Sequence, residues 1–298
     1  MLPPTHIISA NGQASRATIA RANDNPNRRA TTTHHSCTFA HPAEVELAAL
    51  FSRSGIRWHY EPRSFPLEIG PTGRVVRSFT PDFFLPDDGI YIEMTTMRQS
   101  LVTRKNQKFR QMKALYPEVN VKLLYRKDLE LILSPYGTDA IRFCAEGDPI
   151  RLTADQIEGK AIAAAREIAA RAGEQSVILL ATTNGRRFAE RISQHTTVDL
   201  RDLDDISLVG DAFRPTSFPV IVTGALGTGL ELRATAQNLL ARGAVVVTLV
   251  DRPGPRLFDL PVIYAGIQVS AEWLIGCGLG GDNRADIRTV SLPSRSLA

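Results

Sequence analysis

Residues 219–231 read PVIVTGALGTGLE, and this stretch carries the clearest structural signal in the chain. An apolar run suited to a buried strand is followed by a loop of small residues and then by a helix start. Loop N–H groups and the N-terminal end of a helix both attract anions, so this order of elements predicts a phosphate-binding loop. A metal-assisted phosphate site usually keeps carboxylates beside such a loop. Only Glu231 remains here, so the loop is predicted to hold a phosphate and to be poorly equipped for chemistry on it.

Strand and helix patterns alternate on both sides of this stretch, which predicts an α/β domain with a parallel sheet over residues 150–298. The predicted elements include helices at 152–172 and 230–242 and buried strands at 177–181 and 244–250. Ligands of such sheets bind at the carboxyl ends of the strands, so one cleft should collect the residues that lie there. These residues are Thr183, Gly185, residues 223–228 and Arg252.

Residues 150–292 resemble purine phosphoribosyltransferases of the hypoxanthine type. Four separated segments match that family in order and spacing: TADQIEGKAIAAAREIAAR (153–171), VIVTGALGTGLE (220–231), VVVTLVDRP (245–253) and YAGIQVSAEWLIGCGLGG (264–281). The resemblance implies that Thr228 and Gly229 bind a 5′-phosphate and that Asn184 and Gly185 belong to the pyrophosphate loop. It also places Arg252 at the base-contacting position and Trp273 at the stacking position.

The matching segments lack most of the charged residues of that family. Thr223, Gly224 and Gly227 stand where the family has acidic residues, and Gly280 stands at a late metal-binding aspartate position. Magnesium-bound diphosphate needs several charge-assisted partners, each contributing roughly 1.5–3 kcal/mol. The resemblance therefore implies a domain that binds a purine nucleotide or phosphoribosyl diphosphate without turning it over.

A predicted hairpin in the N-terminal half brings two carboxylates together. RSFTPDFFL (77–85) and the strand at 90–95 flank the turn at 86–89. If Leu85 pairs with Ile90, counting back puts Asp82 opposite Glu93, where like charges repel unless a cation lies between them or the register shifts. Such a pair forms a reasonable divalent-metal site. The alternative is that Asp82 caps a turn after the preceding proline.

The segment 102–116 is predicted to be a helix with one inward-facing stripe, and Lys105 is the only charge on that stripe. Lys105 is either a lysine whose aliphatic stem lies on a half-buried face while its ammonium reaches solvent, or a catalytic residue. The neighbouring cations face outward as a solvated or nucleic-acid-contacting surface. They are Arg104, Lys108, Arg110 and Lys113.

Residues 42–137 resemble the PD-(D/E)XK nuclease superfamily, which has the restriction-endonuclease-like fold. The match consists of Glu44 on the leading helix, Thr80-Pro81-Asp82-Phe83, Ile92-Glu93 and the strand at 121–125. The resemblance implies that Asp82 and Glu93 hold Mg²⁺. Thr95 stands where the superfamily has its lysine, and a lysine from the following helix, here Lys105, is the expected substitute. DNA or RNA is then an expected partner.

The whole chain is predicted to contain a restriction-endonuclease-like α/β domain (41–137) and a phosphoribosyltransferase-type parallel-sheet domain (150–298), joined by a linker (138–149). Residues 1–40 lack apolar periodicity and are predicted to be a disordered tail, with a basic nucleic-acid-binding arm as the alternative. The net charge of +4 over 298 residues permits nucleic-acid binding without arguing for it.

Composition favours a cytoplasmic protein. Three widely spaced cysteines imply neither a disulfide framework nor a zinc site, and no signal peptide or membrane span is predicted.

Three functional hypotheses follow. The first is a nucleotide-responsive protein that joins a nuclease-like domain to a degenerate transferase-like domain. The second is an active hypoxanthine or guanine phosphoribosyltransferase of purine salvage, and the third is a scaffold with two inactive sites. The sequence leaves the oligomeric state open, with a homo-oligomer among the alternatives.

Overall fold

The computed structural model describes residues 38–95, 99–133, 149–204, 214–270, 273–282 and 284–290. These belong to one compact unit, Cys37–Ala298. The described helices are α1 (Pro42–Arg53), α2 (Gln99–Leu115), α3 (Arg126–Leu133), α4 (Ala154–Ala172), α5 (Arg186–Ser193), α6 (Leu230–Thr235) and α7 (Gln237–Ala241). The predicted tail and linker lie outside the described residues, except for residues 38–40 and Pro149.

Four β-sheets are assigned within the described ranges. The strands are β1 (His59–Tyr60), β2 (Phe65–Ile69), β3 (Val75–Phe79), β4 (Phe83–Leu85), β5 (Ile90–Thr95), β6 (Asn120–Tyr125), β7 (Ile150–Leu152), β8 (Ser176–Ala181), β9 (Asp199–Asp202), β10 (Ser217–Leu226), β11 (Val245–Asp251), β12 (Val262–Gln268), β13 (Trp273–Ile275) and β14 (Ile287–Val290). No helix in the described parts of the chain is long and apolar enough to cross a membrane.

The first sheet has the order β1-β4-β5-β6 and carries the predicted carboxylate pair. Strand β4 is antiparallel to β1 and β5, whereas β6 is parallel to β5. Helix α1 lies over this sheet because Leu47 and Phe51 on its apolar face are buried in one cluster with Phe83 and Ile92. The helix begins after His41, whose ring accepts a hydrogen bond from the Ala43 N–H (3.1 Å). This packing places Glu44, in the first turn, on the buried side of α1.

Two strands expected to be continuous are interrupted before or at a proline. The alternating pattern IRWHYEP, which begins at residue 56 and predicts one strand over 56–67, is split into β1 and β2 because Glu61, which precedes Pro62, adopts a left-handed backbone (φ 41°). The expected strand at 77–85 is split into β3 and β4 around Pro81, which has no N–H for a sheet ladder. Strands β2 and β3 consequently form a separate two-stranded sheet.

The second sheet confirms the predicted parallel α/β architecture. Its order is β12-β11-β10-β8-β9, and every neighbouring pair is parallel. Helix α4 is capped by Thr153 and Gln156 in the predicted capping box. Its apolar residues, such as Ile157 and Ile168, are buried in a cluster with Val220 and Val222 from the central strand β10.

The predicted phosphate loop is shorter in the structure than expected from its composition. Strand β10 runs on to Leu226, so Thr223 and Gly224 lie in the strand instead of in the loop, and Thr223 pairs with Thr248. The loop is therefore residues 227–229 alone. The helix expected at 230–242 is divided at Ala236, whose backbone (φ −122°, ψ 14°) is not helical, into α6 and α7.

The two main sheets are connected by direct contacts. Arg233 on α6 forms a two-bond ion pair with Asp88 in the β4–β5 turn, with Nε–Oδ1 and Nη2–Oδ2 distances of 2.8 and 3.3 Å. Leu230, Leu257 and Phe258 join the same buried cluster as α1 and β4. A bidentate arginine–carboxylate pair on top of shared apolar packing holds α6 against the β4–β5 hairpin.

Candidate functional site

The β4–β5 hairpin places Asp82 beside Glu93. Phe83 pairs with Ile92 and Leu85 with Ile90, so the register is the one obtained by counting along the sequence. Asp82 lies one residue before β4, and its Oδ2 accepts a hydrogen bond from the Met94 N–H (2.6 Å). The left-handed Glu61 donates its N–H to the Asp82 carbonyl oxygen (2.9 Å). Backbone groups on both sides therefore fix Asp82 at the end of the hairpin.

Lys105 reaches this pair from α2. Its Nζ lies 2.7 Å from Glu93 Oε1 and also donates to the Met94 carbonyl oxygen. The Lys105 side chain is 23% exposed, whereas that of Glu93 is 5% exposed. Lys105 thus points towards the sheet, and its ammonium stays accessible from solvent.

The two carboxyl groups disfavour each other's ionisation. Burial raises the pKa of Asp82 to about 6, with Glu44 and Glu61 adding to the rise and Lys105 opposing it. Burial and then the Asp82 charge raise the pKa of Glu93 to about 7, again against the lowering effect of Lys105. One ammonium therefore does not compensate two partly buried carboxylates, and the pair titrates as a unit.

Glu44 supports the cluster from α1 without joining the ion pair. It is buried, and its Oε2 accepts hydrogen bonds from the Tyr60 hydroxyl (2.8 Å) and the Ala40 N–H (2.9 Å). Burial and this carboxylate raise the pKa of Tyr60. The contacts of Glu44 fasten β1 and the residues before α1 beside Asp82.

The donor set fits a divalent cation that keeps much of its water. Glu93 Oε2 is buried and has no hydrogen-bond partner among the described residues. Within those residues, no group of three or more His, Cys, Asp or Glu side chains could hold a metal ion. Mg²⁺ commonly uses only one or two carboxylates, with waters and substrate phosphates completing its octahedron. Asp82 and Glu93 together supply that number of carboxylates.

Thr95 is placed one strand position beyond Met94 and cannot supply an ammonium. Its Oγ1 is buried and has no hydrogen-bond partner in the described ranges. The ammonium contacting Glu93 comes from Lys105 instead, at the position expected from the helix pattern.

At the second sheet, Asn184 fills the space at the end of β10. Its Oδ1 accepts hydrogen bonds from Thr223 Oγ1 (3.0 Å), the Gly224 N–H (3.1 Å) and Thr182 Oγ1 (2.7 Å). A Cβ on Gly224 would lie 2.2 Å from the Asn184 carbonyl oxygen, and one on Gly185 would lie 2.2 Å from the Val222 carbonyl oxygen. The structure thus brings Asn184, Gly185, Thr223 and Gly224 together; Thr223 and Gly224 bond to Asn184, whereas the Gly185 N–H donates to the Thr182 carbonyl oxygen (2.9 Å).

The loop at 227–229 is likewise engaged by its own chain. Arg256 donates from Nε to the Gly227 carbonyl oxygen (2.7 Å) and pairs with Asp251. The Leu257 N–H donates to the Thr228 carbonyl oxygen (3.0 Å). Gly229 has a left-handed backbone (φ 79°) that starts α6.

The cavity beside this loop has a volume of about 150 Å³. It is bordered by Thr223, Gly227, Thr228, Gly229 and Arg252 from the second sheet, and by Leu50 of α1 and Ile132 of α3. Pockets for drug-sized ligands usually measure about 300–1,000 Å³. Segments of the N-terminal half therefore border the cavity beside the predicted phosphate loop.

Two further predicted residues complete the comparison with the sequence. Arg252 follows β11, is fully buried, and donates its backbone N–H to the Leu226 carbonyl oxygen (2.8 Å). Trp273 begins β13, and its side chain lies outside what the structure describes. Sequence reasoning missed Glu61, for which Pro62 was a usable signal. It also missed the Asp88–Arg233 pair, which no local pattern indicates.

No protein-family model matches the chain, and no curated protein sequence matches it. Solved hypoxanthine phosphoribosyltransferases resemble about half of it at low identity. A hypoxanthine-guanine phosphoribosyltransferase from Bacillus anthracis is 19% identical, with 50% of this chain and all of that chain covered and a TM-score of 0.42. The Staphylococcus aureus enzyme is 19% identical (48% and 92% covered, TM-score 0.41). The Trypanosoma cruzi enzyme, solved with its product IMP, is 17% identical (50% and 94% covered, TM-score 0.41). Likenesses of this size transfer neither activity nor ligand to this chain.

Proposed function

We propose that this protein hydrolyses phosphodiester bonds in nucleic acid with a divalent metal ion held by Asp82 and Glu93. The observation that carries the proposal is the meeting of Asp82, Glu93 and Lys105 in one cluster, in which both carboxyl groups have a raised pKa. Carboxyl groups that are perturbed by burial and a specific charged partner are typical of functional sites.

The residues take distinct roles in this proposal. A bound Mg²⁺ would supply Lewis-acid activation of a phosphoryl oxygen and a more acidic bound water. Asp82 and the otherwise unpartnered Glu93 Oε2 hold that ion, while Lys105 orients Glu93 by bonding its Oε1. The Lys105 ammonium would also supply positive charge to stabilise negative charge on the attacked phosphate. Hydrolysis joins a water oxygen to phosphorus, breaks one P–O ester bond, and delivers a proton to the leaving oxygen.

A cleavage assay tests this function. Purified protein is incubated with single- and double-stranded DNA and RNA in Mg²⁺, Mn²⁺ or EDTA. We expect metal-dependent cleavage that falls at least about 100-fold in Glu93→Gln and Asp82→Asn, because losing even an outer-sphere metal partner costs about 10–100-fold. Glu46→Gln, an exposed carboxylate on α1, is the matched control. Cleavage that survives in Glu93→Gln, or no cleavage by the wild type, contradicts the proposal.

We also propose that the half containing the parallel sheet is transferase-like in fold and does not transfer phosphoribosyl groups. Support comes from Thr223 and Gly224 at positions of expected carboxylates, and from the three hydrogen bonds that commit Asn184 to this sheet end. The alternative, an active phosphoribosyltransferase, requires nucleoside monophosphate to form from a purine base, phosphoribosyl diphosphate and Mg²⁺. Binding of a purine nucleotide to residues 227–229 would need Leu50 and Ile132 to move, since both border the small cavity there.

A further inference from the structure

Tyr125 is an exposed aromatic residue beside the proposed metal site. It ends β6, the edge strand of the first sheet, and 42% of its surface is exposed. Strand β6 runs parallel to β5, with Glu93 paired to Leu123 and Thr95 paired to Tyr125. Paired residues of neighbouring strands lie on one face of a sheet, and residues two apart along a strand share that face. Tyr125 therefore lies on the same face as Glu93, one strand across and two residues further along.

The separation of Tyr125 from the carboxylates suits a nucleotide. Strands lie about 4.8 Å apart and rise about 3.3 Å per residue, so the Cα atoms of Glu93 and Tyr125 are about 8 Å apart. Lys105 approaches Glu93 from α2, and the next residue of that helix, Asn106, accepts a hydrogen bond from the Tyr125 hydroxyl (3.3 Å). A phosphate at the carboxylates and a base on Tyr125 can therefore belong to one nucleotide or to two successive ones.

The Tyr125 ring is held in place, yet no other ring is stacked on it. Besides the hydroxyl bond to α2, its backbone N–H donates to Asp128 Oδ2 (2.9 Å) at the start of α3. Tyr60, Tyr91 and Tyr116 of the same half pack against phenylalanine rings, whereas Tyr125 makes no ring contact within the described residues. The fold therefore orients this ring and leaves much of it open to a ligand.

An oriented, exposed ring beside a phosphodiester site is suited to a nucleobase. Every base presents a π face, so stacking on an aromatic side chain tolerates any sequence. In a duplex these faces are covered by the neighbouring base pairs, whereas unpaired nucleotides can expose them. A ring contact at this position therefore selects nucleotides that are not paired.

A protein partner is less well suited to the same ring. Protein-binding surfaces are contiguous apolar patches, and single exposed apolar residues are common on any surface. Leu115, the exposed apolar residue at the other end of α2, lies about 13 Å further along the helix axis than Asn106. Tyr125 and Leu115 are thus too far apart to form one patch.

We propose that Tyr125 stacks on an unpaired base next to the phosphodiester held at Asp82 and Glu93, so that the substrate is single-stranded nucleic acid. The proposal rests on the proposed hydrolytic function, whose substrate class it specifies. Asn106 is a positioning residue, because it orients the ring through the Tyr125 hydroxyl. The base face is common to DNA and RNA, so single strands of both bind, and a blunt duplex binds less tightly.

Binding measured without metal tests the stack separately from catalysis. Fluorescence anisotropy in EDTA compares a DNA strand of about 12 nucleotides, the RNA strand of the same sequence, the abasic backbone of the same length and the blunt DNA duplex. We expect the wild type to bind either strand at least about fivefold more tightly than the abasic backbone, the lower limit for one base stacked on an aromatic ring. Tyr125→Leu, which keeps an apolar side chain and removes the π face, should lose this preference, whereas Tyr125→Phe should keep most of it.

Two further comparisons serve as controls. Tyr264→Leu makes the same substitution on β12, the edge strand of the parallel sheet, and should leave strand binding unchanged. Asn106→Ala should weaken strand binding in the wild type and have no further effect in Tyr125→Phe, because its contribution passes through the hydroxyl that Phe lacks. Thermal unfolding of every variant shows whether the fold is retained.

Each outcome decides for or against the stack. Strand affinity of Tyr125→Leu within about twofold of wild type, with unchanged thermal unfolding, overturns the proposal. Equal affinity for the blunt duplex, or a Tyr125→Phe variant as weak as Tyr125→Leu, overturns it as well. Tyr125-dependent strand binding without any cleavage supports the stack and rejects the hydrolytic function. Metal-dependent cleavage of duplex DNA that Tyr125→Leu retains supports the hydrolytic function and rejects the stack.

Discussion

The polar groups of the Asp82–Glu93 cluster and those around the loop at 227–229 differ in how fully they are paired. In the cluster, two carboxyl groups with raised pKa share one ammonium, and Glu93 Oε2 has no hydrogen-bond partner among the described residues. At the end of the parallel sheet, Asn184 Oδ1 accepts three hydrogen bonds, and Arg256 holds the Gly227 carbonyl oxygen. In the cluster the buried carboxyl groups are only partly compensated, whereas around the loop the Asn184 amide oxygen and the Gly227 carbonyl oxygen are bonded within the chain.

Under the proposed function, this difference is the one expected between a site that binds a ligand and a region whose polar groups serve the fold. Buried polar groups are nearly always paired, so an unpaired carboxylate oxygen persists where something else binds it or where function requires it. Internally satisfied groups need no ligand, and a ligand must compete with the existing bonds. Chemistry is therefore expected at Asp82 and Glu93, and the parallel sheet acts first as a support.

The parallel-sheet region supports the β4–β5 hairpin by direct contact. Helix α6 begins at the loop, and its Arg233 pairs with Asp88 in the β4–β5 turn. Arg233 and Asp88 are only 14% and 15% exposed at their side chains, so their ion pair is largely shielded from water. The β4–β5 turn joins the strand after Asp82 to the strand that carries Glu93. The helix that follows the loop at 227–229 thereby braces the β4–β5 hairpin.

Of the predicted effects, the loss of cleavage on replacing Lys105 should be the largest. If cleavage is unchanged, the contrast between the Asp82–Glu93 cluster and the loop at 227–229 is wrong. In Lys105→Met, Glu93 loses its only described cation, so its pKa rises further and the carboxylate is less available to a metal at neutral pH. We expect about a 100-fold loss of cleavage at pH 7, with part of the loss recovered at pH 9 as Glu93 ionises. Lys105→Arg should keep more activity than Lys105→Met.

The control is Arg166→Met, which removes an exposed cation from α4. A rate loss in Lys105→Met that is unchanged between pH 7 and pH 9 would assign Lys105 a role other than control of Glu93 ionisation. The pH profile of cleavage for the four proteins, measured with saturating Mg²⁺, distinguishes these cases.

The sequence predicted the geometry of the Asp82–Glu93 cluster better than that of the loop at 227–229, because the two depend on different kinds of contact. The turn at 86–89 fixes the hairpin register, so counting residues was enough to place Asp82 near Glu93. Helical periodicity likewise placed Lys105 on the inner face of α2. Both inferences depend on local geometry alone.

The loop at 227–229 depends on contacts between distant segments. A stretch of Thr, Gly, Ala and Leu suits a loop or a buried strand, and pairing of Leu226 with Asp251 decides for the strand. Leu50 and Ile132 border the cavity beside the loop through tertiary packing that no periodicity encodes. The breaks at Pro62 and Pro81 were readable, because proline within a strand pattern demotes the strand.

The free energy of unfolding should also depend on pH, as a smaller effect than the loss of cleavage in Lys105→Met. This dependence tests whether the carboxyl groups of the cluster are incompletely compensated. Both carboxyl groups have a higher pKa in the folded protein than their ordinary values of 3.8 and 4.5, reaching about 6 and about 7. The folded state thus binds more protons than the unfolded chain between about pH 4 and pH 7. Stability is highest below this window and falls as the pH rises through it.

Thermal unfolding at pH 5 and pH 8, with and without Mg²⁺, checks this prediction. Mg²⁺ should raise the unfolding temperature at pH 8, where both carboxylates are ionised, and have little effect at pH 5. Asp82→Asn should flatten the pH dependence and abolish the Mg²⁺ effect, whereas Glu46→Gln should change neither. A wild type that becomes more stable from pH 5 to pH 8 without metal would show that the cluster is not strained.

The smallest expected effect is the ligand-induced shift in unfolding temperature after the cavity beside the loop at 227–229 is enlarged. It tests whether the side chains bordering that cavity exclude ligands. Leu50→Ala removes one side chain that borders the 150 Å³ cavity and leaves the loop itself unchanged. If coverage by α1 is what blocks the loop, purine nucleoside monophosphates or phosphoribosyl diphosphate should raise the unfolding temperature of Leu50→Ala by about 1–2 °C more than that of the wild type, the size expected for weak binding. Leu240→Ala, a partly buried leucine packed in another cluster, controls for the general loss of stability. Equal ligand shifts in all three proteins would mean that the internal bonds of Asn184 and Arg256, and not coverage by Leu50, keep the loop closed to nucleotides.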